Sequence, residues 1–74
     1  MDDARDLDPQ QLRSFLAVAE TLHFTSAARR LGIVQSTVSQ HVSRLEQAVN
    51  RTLLVRSTKQ VTLTQDGHMM IALA

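Results

Sequence analysis

Between Gln35 and Val49 the sequence sorts two kinds of side chain at helical spacing. Val38, Val42, Leu45 and Val49 recur at i, i+4, i+7 and i+11, which at about 100° per residue places them within roughly 60° of one another. Ser36, Gln40, Ser43, Arg44 and Gln47 fall on the opposite face, and Gln35 and Ser39 lie on a flank beside the apolar stripe. Helix surfaces are usually solubilised by Glu–Lys pairs, whereas this one is dominated by amides and short hydroxyls. An amide can pair bidentately with N6 and N7 of adenine in the major groove, and a hydroxyl can serve either base type. Gln35, Ser36, Ser39, Gln40 and Ser43 are therefore candidate base contacts, with Gln35 and Ser36 at the helix end that normally reaches base edges. The competing reading is a polar helix on an inert bundle, or one that docks on another protein.

Other chemistries find less support. His23, His41 and His68 are far apart and lack carboxylate or cysteine companions at ligand spacing, so no metal site is expected; His41 should border the buried face. Ser, His and Asp all occur, but no strand-turn elbow or oxyanion loop frames a nucleophile, and no enzyme is expected. Gly32 and Gly67 are isolated glycines, not a phosphate loop, and nothing points to a cofactor. The absence of cysteine excludes disulfides and thiolate metal sites.

The elements that must position the candidate helix can be read from caps and periodicity. Asp8 can cap a first helix, with Pro9 at its opening position and Gln11 three residues beyond the cap. Leu12, Phe15, Leu16, Ala19 and Leu22 then form one apolar face. Thr25 is the expected cap of a second, short helix containing Ala27, Ala28 and Leu31 and closed by Gly32. Such a helix is too short to persist without neighbours, and its paired alanines allow another helix to come close. A short helix, a turn at Gly32-Ile33-Val34 and an amphipathic third helix form a helix-turn-helix pattern.

After Asn50, which tolerates the left-handed conformation at a helix end, residues 53–64 are rich in β-branched side chains. Strands are expected at about 54–56 and 61–63, with Val61 and Leu63 alternating with Thr62 and Thr64. Thr64 should cap a last helix from Gln65 that is still apolar at Met69-Met70-Ile71 when the sequence stops, suggesting a longer parent chain. The expected organisation is an acidic tail over 1–7, a helix-turn-helix with a hairpin over 8–64 and the start of a further helix over 65–74.

With 74 residues, 43% of them hydrophobic and 20% charged, the chain has the make-up of one small globular domain. A domain of this size has little room for an enclosed active-site cavity. The net charge of +1 conceals a segregation. Four aspartates face one arginine within residues 1–8, whereas Arg29, Arg30, Arg44, Arg51, Arg56 and Lys59 face only Glu46 within residues 21–65. Such an excess suits a polyanionic partner or merely a solvated basic surface. No apolar run approaches the roughly 20 residues of a membrane span, and the acidic start differs from a signal peptide. A soluble cytoplasmic location is expected, with no membrane partner.

The blocks Phe15-Leu16-Ala17-Val18-Ala19-Glu20, Phe24-Thr25-Ser26-Ala27-Ala28-Arg29-Arg30-Leu31, Gln35-Ser36-Thr37-Val38-Ser39-Gln40-His41-Val42-Ser43-Arg44-Leu45-Glu46, Leu53-Leu54-Val55-Arg56 and Val61-Thr62-Leu63-Thr64-Gln65-Asp66-Gly67 resemble the N-terminal DNA-binding domain of LysR-type transcriptional regulators. The resemblance runs without a gap from about Leu12 to Gly67. It implies a mainly α fold with a small β-hairpin, a winged helix-turn-helix with a three-helix core, a two-stranded wing and the start of a linker helix.

It further implies sequence-specific binding of double-stranded DNA, with the helix from about 35 to 49 in the major groove and the 54–63 wing on the minor groove or backbone. Gln35, Ser36, Ser39 and Gln40 would face bases. Thr25, Ser26 and Thr37 would approach phosphates, with Lys59 at the wing tip and Arg56 on the backbone or bracing the fold. Arg30 and Arg44 are further candidate backbone contacts. Met69, Met70 and Leu73 would pair two subunits through the linker helix, giving a homodimer, with a tetramer open to the full-length protein. A small-molecule effector would bind only a C-terminal domain outside this sequence. Departures from the family pattern are Val34 for a frequent capping Ser, Ser36 for Pro, Asn50 for Gly and Leu54 for Phe; they bear on exact contacts more than on the fold.

Overall fold

The computed structural model describes residues 7–57 and 60–73. All of the expected acidic tail except Leu7, Lys59 at the expected wing tip and Ala74 at the end of the expected linker helix lie outside these residues. The element order is α1 (Pro9–Thr21), α2 (Phe24–Leu31), α3 (Gln35–Val49), β1 (Leu54–Arg56), β2 (Val61–Leu63) and α4 (Gln65–Leu73). The two strands pair antiparallel, with Leu54 opposite Leu63, Val55 opposite Thr62 and Arg56 opposite Val61. The fold is a three-helix core with a two-stranded wing, as the blocks implied.

Local chemistry explains where each helix starts and stops. Asp8 accepts a 2.8 Å hydrogen bond from the amide of Gln10 and caps α1. Gly32 and Asn50 end α2 and α3 in the left-handed conformation, at φ 72° and 55°. One start and one stop differ from the sequence-based expectation, while α3 starts at Gln35 as expected. His23, not Thr25, caps α2, its Nδ1 accepting from the Ser26 amide at 3.4 Å. Val34 begins α3 without any side-chain cap, because a valine has no acceptor. Leu22 leaves α1 at φ 55° and is exposed, so it does not extend the apolar face as its spacing suggested.

The core joins all three helices to the wing. Phe15 and Val18 of α1, Ala27 of α2 and Val38, Val42 and Leu45 of α3 are completely buried. Leu12, Leu16 and Ala19 are only partly buried, so the buried line of α1 is rotated toward Ser14, Ala17 and Val18. Ala27 and Ala28 are both buried, consistent with close helix approach. Leu53 and Leu54 carry the core into the hairpin.

The hairpin and α4 are locked by one crossing. Thr64 Oγ1 accepts from the Gly67 amide at 3.0 Å and donates to the Thr52 carbonyl at 2.6 Å, so Thr64 caps α4 as expected and ties it to the segment before β1. There α4 passes so close to Leu53 that a Cβ on Gly67 would sit 2.3 Å from the Leu53 carbonyl oxygen. Gly67 is thus required by packing. Among the described residues, no helix is long and apolar enough to cross a membrane.

Candidate nucleic-acid interface

The helix α3 separates its chemistry around its axis as its spacing predicts. Val38, Val42 and Leu45 face inward at 0% exposure, while Ser36, Gln40, Ser43, Arg44 and Gln47 are exposed. Among the described residues, the side chains of Ser36, Gln40, Ser43 and Gln47 have no hydrogen-bond partner, so their donors and acceptors are open to a ligand. Arg44 on the same face makes no ion pair among those residues.

The flank of α3 toward the wing is different. Gln35 is exposed, yet its Oε1 accepts a 2.9 Å hydrogen bond from the Thr25 hydroxyl of α2. Ser39 is half-buried, and its Oγ accepts from Arg56 Nη1 of β1 at 2.8 Å. The Arg56 guanidinium in turn lies 4.1 Å over the ring of Phe24, a cation–π contact that holds the wing arginine against α2. Glu46, further along, accepts from the amides of Leu53 and Leu54 at 2.8 and 3.1 Å. One carboxylate thereby satisfies two part-buried backbone donors and fixes the entry into β1.

The opposite flank packs toward α1. Thr37 and His41 border a cleft of about 270 Å³ together with Arg13 and Ile33. His41 Nδ1 and the buried Ser14 Oγ share a 2.7 Å hydrogen bond, which agrees with the placement of His41 beside the apolar stripe.

Three residues expected to make contacts have partners within the domain. A hydroxyl has one proton, and here Thr25 gives it to Gln35. Arg30 forms an ion pair with Glu20 and turns toward α1, about 140° around α2 from Thr25. Met70 is buried in the domain's own core at 8% exposure, while Met69 and Leu73 stand out at 58% and 67%, because α4 turns Met70 toward the core. Ser26 lies in the first turn of α2, beside the capping His23. Arg56 uses one Nη on Ser39 and keeps further donors on an exposed side chain, so it both braces the fold and remains available.

Two residues with defined roles were not anticipated. Glu46 read as the lone acid in a basic segment, and only the β1 amides reveal it as an anchor; a single carboxylate one turn before a helix end was the available signal. Phe24 shows no role of its own in the sequence, whereas it is buried and supports the guanidinium of Arg56.

A three-helix core, an exposed polar face on the third helix and an antiparallel hairpin leading into a further helix define a winged helix-turn-helix domain. Over residues 9–68 the chain matches the family described as bacterial regulatory helix-turn-helix protein, lysR family, and it belongs to that family. It is 47% identical over 73 residues to the HTH-type transcriptional regulator IlvR of Caulobacter vibrioides, covering 92% of this chain and 25% of IlvR. Among solved structures it resembles Corynebacterium glutamicum OxyR in its oxidized form, with a TM-score of 0.89 and 33% identity, covering 97% of this chain and 22% of that one. It also resembles the BenM DNA-binding domain in complex with catB site 1 DNA, with a TM-score of 0.84 and 35% identity, covering 89% and 73% of the two chains. The chain spans about a quarter of the length of IlvR, or 25%.

Proposed function

We propose that this chain is the sequence-specific, double-stranded DNA-binding domain of a cytoplasmic bacterial transcriptional regulator, with a regulatory and not a catalytic role. Helix α3 enters the major groove, where Ser36, Gln40 and Ser43 meet base edges together with Gln35 and Ser39 from the flank. Arg44 and Arg56, the Ser26 hydroxyl in the first turn of α2, and Lys59 neutralise or bind phosphates. Thr37 approaches the backbone from the α1 flank. The observation that carries the reading is the outer face of α3, which is exposed, with amides and hydroxyls that have no partner among the described residues, opposite the buried Val38, Val42 and Leu45. The complex of the similar BenM domain with catB site 1 DNA supports it.

The exposed Met69 and Leu73 of α4 support pairing of two subunits, so that the domain acts as a homodimer on a partly palindromic site. A small-molecule effector would act through a domain outside this sequence.

A gel shift with a duplex pool of random sequence, at 50 and 200 mM salt, tests the reading. Binding that weakens with a log–log slope of about −0.9 per neutralised phosphate is expected. No shift at low salt, or a shift indifferent to salt, would favour a protein-docking module instead.

A further inference from the structure

Two hydrogen bonds on the wing-side flank of α3 have the same sense. At Gln35 the carboxamide oxygen accepts from Thr25, and at Ser39 the hydroxyl oxygen accepts from Arg56. Both supports rise from the start of α2: Thr25 directly, and Arg56 through its 4.1 Å stacking on the buried Phe24 ring. A carboxamide carries its acceptor and its donors at opposite ends of one planar group. Holding Oε1 of Gln35 against α2 therefore turns Nε2, with its two protons, outward. A serine that accepts from a guanidinium keeps its own proton free to give.

We propose that Thr25 and Arg56 are positioning residues that set the hydrogen-bond polarity of this edge, so that Gln35 and Ser39 present donors and read guanine through N7 and O6. The inference rests on the DNA-binding reading above. Guanine shows two adjacent acceptors in the major groove, whereas adenine shows an acceptor beside an N6 donor that needs an acceptor from the protein. Gln40 on the outer face has no partner among the described residues, keeps both ends of its amide free and is the residue suited to adenine.

The test is selection of bound fragments from a random duplex pool, followed by sequencing, with the wild-type chain and with Gln35→Ala, Ser39→Ala, Thr25→Val, Thr25→Ser and Arg56→Met. The column that flattens with Gln35→Ala marks the base pair read by that residue. It is expected to be G·C, with guanine favoured over adenine on the order of tenfold. Replacing that guanine by 7-deazaguanine should weaken wild-type binding on a similar scale. Thr25→Val, nearly isosteric with the native residue, should admit A·T at that column while the other columns hold. Thr25→Ser should retain G·C. Arg56→Met should broaden the column assigned by Ser39→Ala, and thermal melting of each variant confirms folding. An A·T column in the wild type, indifference to 7-deazaguanine, or an unchanged column with Thr25→Val would overturn the polarity assignment while leaving DNA reading intact. No enriched fragment with the wild type would overturn both.

Discussion

Gln35 and Gln40 are the same residue on the same helix, yet one is held and the other has no partner among the described residues. The wing-side flank of α3 is tied at three points, by Thr25 to Gln35, by Arg56 to Ser39 and by Glu46 to the amides of Leu53 and Leu54. The outer face carries Ser36, Gln40, Ser43 and Gln47 with no partner among the described residues. A held side chain has already lost its freedom before a ligand arrives. A free long side chain gives up about 0.5–1.5 kcal/mol on being ordered at an interface, and in return adapts to what it meets. One helix thus combines a preorganised edge with an adaptable face, and both depend on the buried stripe that fixes its rotation.

The strongest way to break this division is to remove the stripe. Leu45→Ala should cost about 2–5 kcal/mol of stability, measured by denaturant unfolding, since Leu45 is wholly buried. A loss below about 1 kcal/mol would mean that the site collapses around the smaller side chain and that α3 is not fixed as described. Gly67→Ala tests the crossing that places the wing. Its Cβ would meet the Leu53 carbonyl oxygen at 2.3 Å, and a net loss of about 1–3 kcal/mol is expected despite the better helix former. A gain in melting temperature would show that α4 can move away at no cost.

The tied edge and the free face are then separated by a matched pair. Glu46→Ala leaves two part-buried amides without their acceptor and should cost about 1–3 kcal/mol. Gln47→Ala, the adjacent residue on the outer face, should change stability by no more than about 0.5 kcal/mol. Equal effects in the two variants would erase the distinction between edge and face. Among the smallest effects, Arg44→Ala should leave stability unchanged and reduce the salt slope of DNA binding by about one. An unaltered slope would remove Arg44 from the phosphate contacts.

The sequence carried the fold well because its signals were local and periodic. The stripe Val38, Val42, Leu45 and Val49 and the alternation of Val61 with Leu63 required only backbone geometry to interpret. Asp8, Gly32, Asn50 and Thr64 ended or began elements where their side chains or conformational tolerance suggested. His23 misled because a ring nitrogen seldom caps a helix, and the hydroxyl of Thr25, one residue inside, looked like the better acceptor. The candidate site was readable as a set of residue types. It was not readable as a set of partners, since Thr25–Gln35, Ser39–Arg56 and Glu46–Leu53 join residues separated by 10, 17 and 7 positions. Such pairings arise from how α2, α3 and the hairpin meet. Met70 shows the same limit: an apolar residue near the end of α4 suits a seam or a core equally, and only the rotation of that helix decides.

The most direct measurement concerns Gln40, the amide at the centre of the outer face. Affinity is compared for a duplex enriched from a random pool and for its scrambled counterpart, with the wild-type chain and with Gln40→Ala. The account predicts a loss of about 1–3 kcal/mol on the enriched duplex, confined to one base pair, with no change on the scrambled one. Equal losses on both duplexes, or no loss on either, would contradict base reading by the face of α3.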